Sequence, residues 1–344
     1  MTTPIQKILF GSPGTGKSHK IDADIIPNKL KIDINKTPEN IIKTVFHPEY
    51  TYGDFIGKLM PITRSGKVEY NFYEGHFLRA LGQAYKNILE NTATPEHVVL
   101  VIDEINRGNS SAIFGSIFQL LDRNEQGWSD YHINVSDMEF DKLVDIVFPN
   151  IENDVKELKG KETIGLNEVQ KKHKALEKQL NDSILGFLLR KRIKIPNNLS
   201  ILATMNTSDS SIYYMDSAFK RRWEWEFIDI NSESVCETGI AFKNRNEWKA
   251  FLSKLNEFIK GNHKYIRGIE DKQVGLYFIK EDEIKYATIQ NKLMFFLWDS
   301  VFNRDKKPLI ELLFGESTKH HDKLITFGDF AKQIKPFIEK INKR

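Results

Sequence analysis

Near the start of the chain, Gly11-Ser12-Pro13-Gly14-Thr15-Gly16-Lys17-Ser18 has the spacing of a loop that wraps phosphates. Its glycines let successive N–H groups turn inward toward a polyanion, and a helix N-terminus directly after them adds a favourable dipole. The Lys17 ammonium suits β- and γ-phosphates, and the Ser18 hydroxyl suits Mg2+. A second constellation follows the apolar run Val98 to Ile102, which ends in Asp103-Glu104. An acidic pair at the carboxyl end of a parallel strand faces the ligand crevice, so Asp103 is the candidate for orienting Mg2+ and Glu104 for polarising an attacking water. Two more groups complete the set. Asn206, in Met205-Asn-Thr-Ser-Asp209, could hydrogen-bond a γ-phosphate or the water, although an Asn opening a loop also serves simply to satisfy a turn. Arg221 and Arg222 end a cationic cluster, where one guanidinium could stabilise charge on a phosphoryl group in a neighbouring subunit. The chemistry these types imply together is Mg2+-dependent hydrolysis of a nucleoside triphosphate, ATP or GTP.

Such groups need a parallel sheet to carry them. Lys7-Ile-Leu-Phe10 reads as a strand running into the glycine loop, Val45-Phe46 as a second and Val98 to Ile102 as a third. Leu199 to Thr204 reads as a fourth and Phe227-Ile-Asp-Ile230 as a fifth. The third is apolar throughout and β-branched at all but Leu100, as when helices cover both faces of a strand. Between strands the helical period returns. The segment Asn109 to Leu121 places Ile113, Phe114, Ile117, Phe118 and Leu121 on one side, and another helix begins near Gly75. Residues Tyr50 to Tyr73, with glycines at 53, 57 and 66, read as a hairpin or irregular insertion.

Past about residue 235 the strand signal fades into helices such as Trp248 to Ile259. The expected division is therefore an α/β domain over 1–234 and a smaller, mostly helical lid over 235–344. A long insertion, about 127–196, carries its own helix near 166–182, since a loop that long needs structure or function of its own. Leu166, Val169, His173, Leu176 and Leu180 form a narrow stripe on it, for packing within the insertion or for docking another protein.

Composition limits the alternatives. Hydrophobic residues at 40% and charged residues at 28% fit a globular chain. The start has no secretory pattern and no apolar run approaches membrane length, so a cytoplasmic protein with no membrane partner is expected. One cysteine, Cys236, leaves no internal disulfide framework or cysteine-based zinc site. A formal charge of +3 is too small for a dedicated nucleic-acid binder, so DNA contact would be local and indirect.

The runs Ile102-Asp-Glu-Ile-Asn-Arg107, Met205-Asn-Thr-Ser-Asp209 and Asp216-x-Ala-x-x-Arg-Arg-Trp223 resemble the McrB-like AAA+ GTPases of modification-dependent restriction systems. The segment Phe46-His-Pro-x-Tyr-x-Tyr52-x-Asp54-Phe55 is similar to the one before the helix-two insert of the wider clade, which includes MoxR-type chaperones and dynein-related ATPases. The resemblance covers roughly residues 5–230 and only loosely the lid. It implies the phosphate-loop NTPase fold of the AAA+ class and a hexameric ring with nucleotide at subunit interfaces. It also implies a McrC-like nuclease partner that stimulates hydrolysis, in restriction or phage defence. It adds Asp209 to Asn206 as a catalytic signature and puts Asn106 and Arg107 near the interface.

Two departures accompany the resemblance. The loop begins at Gly11, with no DNA-recognition domain ahead of it as in McrB, so reading methylated DNA by that route is not expected. The lid has no evident Gly-x-Arg sensor; Arg267 and Val274-Gly-Leu-Tyr277 are the nearest candidates. A MoxR-like ATPase chaperone acting on a protein client is the alternative reading, and a nucleotide-bound scaffold without turnover a third. Arg190-Lys191-Arg192-x-Lys194 reads as a solvated strand edge before a DNA contact, and His320-His321-Asp322 as a loop before a metal site.

Overall fold

The computed structural model describes residues 3–64, 66–151, 153, 168–180, 183–207, 213, 215, 217–230, 237–315 and 323–344. Asp209, Cys236, Leu166, the Val169 side chain and His320-His321-Asp322 lie outside the described residues. The chain divides into two compact units, one of residues 1–8 and 16–223 and the other of residues 9–15 and 224–344. Among the described residues no helix is long and apolar enough to cross a membrane.

The central sheet has five parallel strands in the order β2-β5-β8-β1-β9. They are β1 (Gln6–Gly11), β2 (Ile41–Val45), β5 (Val98–Asp103), β8 (Leu199–Asn206) and β9 (Glu224–Phe227), with β3 (Gly57–Arg64) and β4 (Lys67–Glu74) forming a separate pair. Val98 to Ile102 are buried throughout, as are Leu199 to Met205, as required of central strands covered on both faces. The parallel registers Ile102↔Ala203 and Val45↔Asp103 bring the carboxyl ends of β2, β5 and β8 to one edge. That edge holds Asp103, at the end of β5, and Asn206, at the end of β8.

Two strands sit earlier than the sequence suggests. The second runs Ile41–Val45, with Phe46 following as an N–H donor to the Asp103 carbonyl at 2.9 Å. The fifth is Glu224–Phe227 rather than Phe227 to Ile230. Its alternation hides in Trp-Glu-Trp-Glu: Trp225 and Phe227 send their rings to Phe10, at centroid distances of 5.7 and 5.4 Å, while Ile230 is exposed. The expected helix from Asn109 to Leu121 is also interrupted. It runs Ser110–Phe114, stops at Gly115, whose φ is +48°, and resumes as a 3-10 turn over Gly115–Leu121. A Cβ at Gly115 would sit 2.9 Å from the Tyr52 ring, so apolar periodicity continues through a break that a close approach demands.

The hairpin reading of the segment after Tyr50 holds: β3 and β4 pair antiparallel from Gly57↔Glu74 out to Arg64↔Lys67. Leu59, Met60, Val68, Tyr70 and Tyr73 are exposed along it. Its root is firmly held. Thr51 and Asp54 form a capping box, Tyr50 Oη lies 2.8 Å from His76 Nδ1, and Gly75 N–H donates to the Ile56 carbonyl at 2.7 Å.

The 127–196 insertion has its own structure. Strands β6 (Ile133–Asn134) and β7 (Arg192–Ile193) pair antiparallel beside the helices Asp137–Val147 and Glu168–Leu180. On the second helix Leu176 and Leu180 are buried, whereas His173 stays half-exposed, 3.4 Å from Glu177, so the expected stripe excludes His173. Of the basic cluster only Arg192 lies in a strand: Arg190 ends a 3-10 turn, and Lys191, which pairs with Asp137 at 2.6 Å, caps it.

Arg123 fastens the two ends of the insertion together. Its guanidinium donates to the carbonyls of Gly127, Pro196 and Leu199 at 2.8, 3.1 and 2.8 Å and to Gln6 Oε1 at 3.1 Å. Burial of the guanidinium pulls its pKa down to about 9. Arg123→Ala would leave these acceptors without their donor, and each buried orphan costs roughly 1–3 kcal/mol. A loss of more than about 3 kcal/mol in urea unfolding is expected; an unchanged midpoint would mean that other donors replace it.

The second unit is mainly helical, led by Arg245–Gly261, Lys307–Phe314 and Ile334–Asn342, with one small pair of strands, β10 (Ile240–Phe242) and β11 (Ile284–Lys285). Its core gathers Phe10, Trp225, Phe227, Phe295 and Phe327, with Phe10 and Phe295 centroids 4.1 Å apart.

Candidate functional site

The glycine loop follows β1 directly. Gly14 and Gly16 take φ values of +77° and +82°, open to glycine at little cost, and helical residues begin at Lys17. Ser12 and Thr15 are tied by the Thr15 hydroxyl donating to the Ser12 carbonyl at 3.0 Å. Lys17 is buried at 7% exposure, and Lys20 N–H donates to the Gly16 carbonyl at 2.8 Å. Burial draws the Lys17 ammonium below the ordinary lysine range, and the Glu104 carboxylate opposes the shift by favouring the charged form.

Ser18 and Asp103 meet at the end of β5, the serine hydroxyl donating to Asp103 Oδ1 at 3.0 Å. The same oxygen accepts from Thr204 Oγ1 at 2.9 Å, and Thr204 Oγ1 in turn accepts from Glu104 N–H at 3.2 Å. One buried threonine on β8 therefore orients both members of the acidic pair. The hydroxyl and carboxylate oxygens are hard donors of the kind that hold Mg2+ together with phosphate and water, so these residues fit the ion that the loop implies.

Glu104 adopts φ +54°, a left-handed backbone that few non-glycine residues take, and it turns the chain sharply out of β5. Its Oε1 accepts from the Asn206 carboxamide at 2.5 Å. Asn206 ends β8, one strand over, so parallel pairing of β5 and β8 brings the two side chains together. Asn106 is fully buried beneath them, while Arg107 is exposed.

The two arginines part company. Arg222 is held by Asp122, with Nη2 and Nε at 2.7 and 2.9 Å from Oδ2, and by the Ala218 carbonyl at 2.8 Å. Its guanidinium also lies 3.9 Å from the centre of the Phe118 ring, and its side chain is 9% exposed. Arg221, next to it, is exposed.

The structure thus brings together Lys17, Ser18, Asp103, Glu104 and Asn206 at one end of the sheet. Thr204 was missed by sequence reasoning, although it is a hydroxyl at the end of the apolar strand Leu199-Ser-Ile-Leu-Ala-Thr204. Asp122 was missed as well, because nothing in its local sequence announces an arginine partner one hundred residues away.

The chain is 29% identical to the "Type II restriction enzyme BsuMI component YdiS" of Bacillus subtilis (strain 168), an alignment covering 93% of this chain and 86% of the relative. It is 26% identical to the "Type IV methyl-directed restriction enzyme EcoKMcrB subunit" of Escherichia coli (strain K12), over 65% of this chain and 34% of that protein. The family model for the AAA domain of the dynein-related subfamily matches residues 6–223, which hold every strand-end residue of the site. This chain is a member of that AAA family, related to the McrB restriction subunits.

Proposed function

We propose that the chain is a Mg2+-dependent nucleoside triphosphatase that serves as the ring motor of a restriction assembly. In this reading residues 1–234 form the nucleotide-binding body and 235–344 the lid. The observation that carries it is the convergence of Lys17, Ser18, Asp103, Glu104 and Asn206, supported by the restriction-enzyme names of both relatives. Gly11 to Gly16 cradle the phosphates, Lys17 neutralises β- and γ-oxygens, and Ser18 with Asp103 holds Mg2+. The bound ion supplies charge neutralisation on the phosphates. Glu104 orients the attacking water and accepts its proton; Asn206 holds the Glu104 carboxylate in place, and Asp209 belongs to the same signature.

Arg221 is the group offered to the nucleotide of a neighbouring subunit, because Arg222 already has its partners within the chain. That division favours a homo-oligomeric ring, taken here as a hexamer, in the cytoplasm. A nuclease of the McrC kind is the partner, and contact with DNA runs through the assembly. The test is phosphate release from ATP and GTP side by side, with Mg2+, across protein concentrations that span ring assembly. Turnover that climbs with assembly is expected, and a preference for GTP would strengthen the link to restriction. ATP turnover insensitive to any nuclease subunit would favour a chaperone of the MoxR type.

A further inference from the structure

After Glu104 the chain returns at once toward β8: Ile105 N–H donates to the Thr204 carbonyl at 3.0 Å, and Asn106 follows with no exposed surface. Paired residues of β5 and β8 end at Ile102↔Ala203, so the carbonyl of Asn206 lies beyond the last rung of that ladder. The Asn106 carboxamide meets it there, Nδ2 donating at 2.9 Å. The Asn106 main-chain carbonyl accepts from Tyr213 N–H at 2.9 Å. Asn106 therefore clamps the peptide of Asn206 from one side and holds the chain beyond it from the other.

The other end of the carboxamide is informative. Asn106 Oδ1 is buried and, among the described residues, has no hydrogen-bond partner. Rotating the amide would not relieve this, because Oδ1 would then face the Asn206 carbonyl, acceptor against acceptor. A leucine has the same number of side-chain heavy atoms and no polar atom of its own to strand, but it would take the donor away from the Asn206 carbonyl. An asparagine that leaves one acceptor unsatisfied to supply one donor is retained for that donor. The donor acts on the residue whose own side chain grips Glu104 Oε1 at 2.5 Å.

We infer that Asn106 is a positioning residue for hydrolysis: its Nδ2 fixes the Asn206 main chain, and through Asn206 the carboxylate of Glu104. The inference rests on the hydrolase reading above and deepens it. Asn106 has no exposed surface and bonds the Asn206 main chain, so removing it should displace Glu104 and leave the phosphate cradle intact.

The test compares Asn106→Leu, Asn206→Ala and the double variant with the wild-type chain, measuring kcat by phosphate release, nucleotide affinity by fluorescent-nucleotide titration and thermal midpoint. For Asn106→Leu, kcat should fall about 100-fold, the scale of an ångström of misplacement, with affinity unchanged and only the modest drop in thermal midpoint that one orphaned carbonyl brings. The double variant should be no slower than Asn206→Ala alone, since both act on one carboxylate. Asn106→Ala should give the same split should the leucine fail to fold. An unchanged kcat, parallel losses of affinity and rate, or independent effects in the double variant would each overturn the inference. Wild-type protein that hydrolyses nothing overturns the hydrolase reading and the inference with it, whereas active wild type beside an equally active variant overturns the inference alone.

Discussion

Arg221→Ala is expected to lower kcat by about a thousand-fold, the scale of an arginine supplied in trans to a phosphoryl group, with the melting temperature unchanged. Arg222→Ala is expected to do the reverse. Its guanidinium sits on Asp122 at 2.7 Å with side-chain exposures of 9% and 17%, so truncation strands a buried carboxylate. Breaking such a pair costs roughly 3–5 kcal/mol, to be read from urea unfolding, and any loss of turnover should follow the unfolded fraction. Mixing distinguishes a trans role from a cis one. Arg221→Ala subunits combined with Glu104→Gln subunits should regain part of the activity, because some interfaces pair an intact Glu104 with an intact Arg221. Assembled mixtures without any recovery would place the arginine's action within its own subunit.

Glu104→Gln should bind nucleotide as the wild type does and turn it over about a thousand-fold more slowly, within the range for loss of a positioned general base. The amide keeps the shape of the carboxylate, and its oxygen can still accept from Asn206, so the fold around it should be preserved. Wild-type turnover in this variant would mean that the base is another residue. A pH signature accompanies it. Burial lowers the Lys17 pKa and the Glu104 charge raises it, so removing that charge lowers the Lys17 pKa further. In the variant the ammonium is lost at a lower pH, and nucleotide affinity should begin to decline at a correspondingly lower pH than in the wild type. Coincident affinity profiles would show that Glu104 does not act on Lys17 before nucleotide binds.

Residues whose role is set by local geometry were legible in the sequence. A glycine loop between strand and helix, and an acidic pair closing an apolar run, fix where Lys17, Ser18, Asp103 and Glu104 must stand. Asn206 was legible as a candidate only, since its grip on Glu104 depends on β8 pairing with β5, a contact across about a hundred residues. The Arg221 and Arg222 pair could not be separated by sequence, because the difference lies in Asp122 and Phe118 folding beneath only one of them. Asn106 was placed near the interface by resemblance, and its complete burial behind the turn at Glu104 had no local signal. Two of the misread boundaries fall where the apolar pattern stops marking the element. Apolar runs mark Val98 to Ile102 clearly, but the strand at Glu224–Phe227 alternates with glutamates, and the helix at Ser110–Phe114 breaks at Gly115 without any change in apolar period.

The paired ribbon of β3 and β4 leaves and rejoins its unit at neighbouring points, since Gly57 and Glu74 face each other across its base. Its length is therefore a free variable: residues added in the ribbon lengthen its reach without separating the two points where it is rooted. The pleat imposes a rule on that freedom. One residue added to each strand at the base would turn every outer side chain to the opposite face. Two per strand would keep the faces and extend the reach by about 7 Å. Chains that share this site but work over different distances can then differ in ribbon length by even steps, like a ruler cut in units of two.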